Sequence, residues 1–152
     1  MAKYWLMKSE PETFPIDQLA KDKTTWWEGV RNYQARNFMM KEMSPGDEVL
    51  FYHSNAEPPG IAGLAKVSKK AAADQTQFDK KSEFFDPKAT LENPRWFCVE
   101  LSFLKKFKNF ISLAEIKSNA SLSKMVLLQK GSRLSIQPVS AVEFELIKKL
   151  GQ

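Results

Sequence analysis

The alternating run from Arg95 to Phe107 does most to limit what this chain can become. Phe97, Val99, Leu101 and Phe103 alternate with Trp96, Cys98, Glu100 and Ser102. A period of two belongs to a β-strand, whose successive side chains point to opposite faces. Two further runs, Glu48 to Ser54 and Ile61 to Ala73, flank the loop Asn55-Ala-Glu-Pro-Pro-Gly60 and read as a hairpin. In the first of them Val49, Phe51 and His53 share one face, and Leu50, Tyr52 and Ser54 the other. Gly60 and Gly63 in the second predict a bend or a close backbone approach, as in a barrel wall. Tyr4 to Ser9 is another strand, stopped by Pro11. Ser132 to Val139 is a last one, interrupted by Pro138. Arg133, Ser135 and Gln137 share a face of it, so that face is solvent or a polar pocket wall.

Helices are inserted among these strands. One runs from Pro15 to about Lys21. A second runs from Tyr33 to about Met43, with Asn32 as N-cap and Ala35, Phe38, Met39 and Met43 as its buried stripe. Ser44-Pro45-Gly46-Asp47 is a turn. Asp74 to Asn93 lacks a sustained period and reads as a long surface loop with room for a short helix. Ser112 to Glu115 and Ser140 to Glu143 are capping boxes, with another helical turn or two between Ser121 and Gln129. The final helix is expected to bury Val142, Leu146, Ile147 and Leu150, and to end at Gly151. Strands and helices do not alternate regularly, which argues against a doubly wound parallel sheet. The expectation is an α+β fold: a small, mostly antiparallel barrel of five to six strands with flanking helices.

The chain has 152 residues, the size of one domain, here 2–150, and a monomer is expected. No run is long enough to span a bilayer, and no basic region precedes an apolar stretch at the start. Cys98 is the one cysteine, which excludes an internal disulfide and a thiolate metal cluster. A cytoplasmic-type compartment fits. The net charge of +5 and pI of about 9.3 favour a polyanionic partner. Only Arg31, Arg36, Arg95 and Arg133 are arginine, the side chain suited to defined recognition of a base edge or phosphate.

Catalytic chemistry finds little footing. His53 is the one histidine, and Cys98 sits mid-strand between aromatics, as inert buried cysteines do. One His and one Cys cannot anchor zinc, and no glycine-rich phosphate loop is present. Neither a metal nor a cofactor is implied. The stretch from Trp26 to Met39 points to binding instead. It packs Trp26, Trp27, Tyr33, Arg31, Arg36, Asn32 and Asn37 into fourteen residues. A flat ligand needs aromatic walls, and its polar edge needs donors at a fixed distance from them. The bland reading of the same residues is a helix start with buried tryptophans. Trp5 and Trp96 add to the aromatics, and Ser9, His53, Ser54, Ser135 and Gln137 to the polar set. Stacking plus edge hydrogen bonds can hold a flipped or single-stranded base.

Four motifs, in order, carry a resemblance: residues 4–11 (YWLMKSEP), 27–37 (WEGVRNYQARN), 45–54 (PGDEVLFYHS) and 133–139 (RLSIQPV). Together they resemble the EVE domain, over about Ala2 to Leu150. The resemblance implies a PUA-like fold similar to the YTH readers of methylated RNA. It also implies that the domain reads a modified base, notably modified cytosine in DNA, or a modified RNA base, in an aromatic-lined pocket without catalysis. By position, Trp27 would be the stacking wall, with Trp5 a second wall and Trp26 beside it. Asn32 would bond the base edge. Ser9, His53 and Ser54 would approach it from strand ends, with Ser135 and Gln137 on the rim. Arg31, Arg36 and Arg133 would hold phosphates. The rival is an enzyme: the similar ASCH-type domains hydrolyse acylated cytidines, and Lys8, Ser9 and Glu10 would be the suspects. A slot accepting any planar small molecule is the third reading.

Overall fold

Alternation along the strands accounts for two apolar layers with one sheet between them. The computed structural model describes residues 2–130 and 134–152. The strands are β1 (Tyr4–Ser9), β2 (Thr24–Trp26), β3 (Glu48–His53), β4 (Gly60–Ala73), β5 (Phe97–Ser112) and β6 (Ile136–Val139). The helices are α1 (Ile16–Asp22), α2 (Tyr33–Asn37), α3 (Leu113–Ser118) and α4 (Ala141–Gly151). The sheet order is β2-β5-β4-β3-β1-β6, with β1 parallel to β3 and the other pairings antiparallel.

On one face Trp5, Met7, Val49, Phe51, Val99 and Leu101 pack with Ile16 and Leu19 of α1 and with Ala35, Met39 and Met43. On the other, Leu6, Leu50, Tyr52, Leu64 and Phe107 pack with Ile116 of α3 and with Phe144 and Ile147 of α4. Both faces of the central strands are thus covered, which is why β3 reads as an unbroken apolar run. The hairpin of β3 and β4 forms as expected. A Cβ on Gly60 would lie 2.2 Å from the Ile111 carbonyl oxygen, and one on Gly63 2.3 Å from that of Lys105. Only glycine permits that approach of β4 to β5.

Several expectations are corrected. The sheet is a six-stranded mixed sheet and not a closed barrel: among the described residues β2 and β6 stay at opposite ends without pairing. Pro138 interrupts nothing, because β6 is an edge strand bonded only to β1 and a proline there costs no ladder bond. The helix after Asn32 is α-helical only to Asn37. It continues as a π-helical turn, Phe38–Glu42, in which the Met43 N–H reaches the Phe38 carbonyl. Asn32 does cap it, accepting from the Ala35 N–H at 2.9 Å.

The buried face of α4 is shifted from the one expected. Phe144, Ile147 and Gly151 are buried, whereas Val142 is 76% and Leu150 42% exposed. Gly151 is the reason: a Cβ there would sit 2.5 Å from the Phe107 ring, so the glycine is a packing contact on β5 and fixes the rotation of the helix. The segment after β4 does hold a short helix, a 3-10 turn at Gln75–Phe78, and its root is buried. Gln77 is fully buried and spends its amide on four bonds, donating to the Asp74 and Trp96 carbonyls and accepting from the Arg95 and Trp96 N–H groups. That pins the root of the loop against β5. Among the described residues, no helix is long and apolar enough to cross a membrane.

Candidate nucleic-acid interface

Three consecutive amides after β2 are tied down. The Trp27 N–H donates to the Val99 carbonyl at 2.9 Å, the Glu28 N–H to the Trp26 carbonyl at 2.9 Å, and the Gly29 N–H to Asp74 Oδ2 at 2.8 Å. Gly29 takes φ of +89° and lies so close to Phe84 that a Cβ would meet its ring at 2.8 Å. The chain therefore turns sharply beneath the loop that crosses it.

This turn forms the floor of a cleft of about 590 Å³. The segment from Thr25 to Asn32 lines one side, Glu83 and Phe84 of the loop another, and Thr13 and Phe14 a third. The end of β1 contributes Lys8, Ser9 and Glu10, and Ser135 lies on the rim. Trp27 meets Phe51 and Phe14 edge-on, with ring centroids 5.7 and 6.5 Å away. The amide of Asn32 has committed its oxygen to the helix cap, which leaves Nδ2 as the donor at the cleft.

Asp74 holds the two long walls together. It is 1% exposed and accepts from Gly29, from Arg31 and from both the N–H and the hydroxyl of Thr76. Burial pushes its carboxyl up, but the bonds from Thr76, Gly29 and Arg31 outweigh it and hold the pKa below the usual carboxylate range. Arg31 completes the joint. Its fork donates to the carbonyls of Phe84 and Val30, to Asp74 and to Thr76. Its guanidinium also lies 5.1 Å from the Trp96 ring and 5.5 Å from the Phe84 ring.

The site residues expected from sequence therefore divide. Trp26, Trp27, Ser9, Asn32, Ser135 and Arg31 line the cleft. Trp5 does not: it is 2% exposed and its indole N–H donates to Asp47 Oδ2 at 3.0 Å. Only the last residues of β1 reach the cleft, and Trp5 lies earlier on that strand. Gln137 is 1% exposed, with its amide donating to the Leu134 carbonyl. Ser54 is outside the cleft and bonds the Ser9 carbonyl through its backbone. Of the three arginines expected to hold phosphates, the two that are described are engaged by protein. Arg36 donates to Asn37 and to the Arg95 carbonyl and lies on the Tyr33 ring at 4.7 Å, while Arg31 is spent on the joint just described. Arg133 lies outside the described residues. Phe14, Glu28 and Phe84 were not anticipated from the sequence. Glu28 stands inside the WEGVRN motif and could have been named, whereas nothing local marks Phe84.

His53 is outside the cleft too. Its Nε2 accepts from the Ile16 N–H at 3.1 Å, capping the start of α1. That requires a neutral ring. Burial lowers its pKa from the ordinary 6.5, with Asp17 pulling up and Lys106 pushing down. A folded pKa below the unfolded one means the unfolded chain binds more protons. The cap's stability is then complete above about pH 6.5 and lost as pH falls through the lowered value. The melting temperature of the protein should drop between pH 7 and 5, and that of His53→Gln should drop less. Parallel slopes in scanning calorimetry would reject this.

The family comparison decides what such a cleft belongs to. The model of the EVE domain matches residues 3–150. The chain belongs to the EVE domain family. This EVE domain is 44% identical over 169 residues to human thymocyte nuclear protein 1, covering 99% of the chain and 74% of that protein. A protein of Leishmania major superposes with a TM-score of 0.94 at 52% identity, covering 99% of this chain and 95% of that one. The human THYN1 protein in complex with 5-methylcytosine-containing DNA superposes with a TM-score of 0.92 at 44% identity, covering 99% and 98%. An ASCH protein of Zymomonas mobilis, at a TM-score of 0.57 and 9% identity, shares the fold alone.

Proposed function

We propose that this EVE domain is a non-catalytic reader that takes one modified base, a modified cytosine in DNA, into the cleft and stacks it on Trp27. One observation carries the reading. A cleft with space for a nucleobase is bounded by Trp27, Phe14 and Phe84, with the Asn32 amide at its edge. Its charges suit a base better than a phosphate. Arg31 is neutralised by Asp74, and three carboxyl groups, those of Glu10, Glu28 and Glu83, line the same space as Lys8. The DNA complex of the human relative adds support.

The hydrolase reading draws on Lys8, whose pKa burial lowers. Its companions are occupied, however. The Ser9 hydroxyl donates to the Phe14 carbonyl at 2.6 Å, and Glu10 accepts from Asn55 at 2.6 Å. Neither Ser9 nor Glu10 is thus free to serve as nucleophile or base.

Fluorescence polarisation with otherwise identical oligonucleotides tests the reading. One 5-methylcytosine should tighten binding over plain cytosine, and both affinities should fall with added salt as phosphate counterions are released. RNA carrying the same base should bind more weakly. Equal affinity for modified and plain DNA would overturn the proposal.

A further inference from the structure

Three carboxyl groups line the cleft, and one of them adjoins the ring proposed to stack the base. Glu10 is taken by Asn55. Glu83 lies on the crossing loop beside Phe84 and, like Glu28, is exposed. Glu28 follows Trp27 directly, on the backbone pinned through Val99, Trp26 and Asp74. Among the described residues its side chain neither accepts a hydrogen bond nor forms an ion pair. Exposed at the cleft, it is an acceptor that no protein group has claimed, next in the chain to the stacking ring.

We propose that Glu28 sets specificity, its carboxylate accepting from the exocyclic amino group of a base seated on Trp27, so that amino-bearing bases are preferred to oxo-bearing ones. The inference rests on the base-reading proposal above. A carboxylate pairs with the cytosine N4 amino group. A ring carbonyl at the same place would set acceptor against acceptor, and a desolvated polar group left unpaired is costly. Asn32 Nδ2 and Lys8 supply donors, but these can serve O2, which cytosine and thymine share. The choice therefore falls to Glu28. Partial desolvation by the cleft walls, with the charge of Asp74, raises the Glu28 pKa against the pull of Arg31, although the residue stays exposed.

5-Methylcytosine and thymine share the ring and the methyl group and differ along this edge. Placed opposite an abasic site, they are extruded without different pairing costs. Wild-type protein should bind 5-methylcytosine roughly tenfold tighter than thymine, in keeping with a good edge contact. Glu28→Gln, whose amide can offer N–H to the thymine O4, should bring the two within about threefold or reverse them. Glu28→Asp keeps an acceptor and should keep the sign of the preference. Unchanged thermal melting and an unchanged salt slope in both variants would confirm that the fold and phosphate contacts persist. An undiminished preference in folded Glu28→Gln overturns the role of Glu28 and leaves the slot standing. Indifference of the wild type to modified versus plain DNA overturns the slot, and this inference with it.

Discussion

Trp27→Ala should cut affinity for 5-methylcytosine DNA roughly five- to 150-fold, to the level of the plain sequence. Base–aromatic stacking is worth about 1–3 kcal/mol, and the loss should fall on the modified oligonucleotide alone because base contacts, not phosphate contacts, carry the discrimination. Trp27 also packs on Phe51 and Phe14, so the alanine variant will lose some stability. Trp27→Phe separates the two effects. It keeps a π-face and should recover most of the discrimination. Titrations of the three proteins against modified and plain duplexes check this, and an equal loss on both duplexes would remove Trp27 from base reading.

Asp74→Ala should be the most damaging single change to the fold near the cleft, at about 3–5 kcal/mol, the cost of leaving one member of a buried ion pair alone. The Gly29 and Thr76 N–H groups would lose their acceptor as well, and Arg31 its counter-charge. Urea unfolding should show a lower midpoint with an unchanged slope. Binding should weaken even where the variant remains folded, because the turn bearing Trp27 and the loop bearing Phe84 share that carboxylate. Arg31→Ala should repeat the pattern in milder form. A loss of DNA affinity in Arg31→Ala with full stability would instead restore that residue to the phosphate contacts.

Local patterns carried most of the fold. β1, β3 and β4 lie where the alternation and the glycines put them, and both capping boxes close. What failed had non-local causes. The register of α4 was legible only from Gly151 against Phe107, residues far apart in the chain that meet where the helix packs on β5. The barrel did not close because closure depends on how far two edge strands bend toward each other, which no local pattern encodes. At the cleft, the WEGVRN motif announced Trp27 and Asn32. The same motif made Arg31 look like a phosphate ligand, because its partner Asp74 lies 43 residues away in a stretch without periodicity. Trp5 misled for a related reason: an indole reads alike in a pocket and in a core until Asp47 is seen accepting its N–H.

The two margins of the sheet have a consequence for how this molecule behaves in crowded solution. β2 has three residues, and β6 has four with Pro138 among them. Neither offers a run of unpaired amides long enough for a foreign strand to zip onto. At these two strands, then, the fold gives fibrillar stacking little to start from.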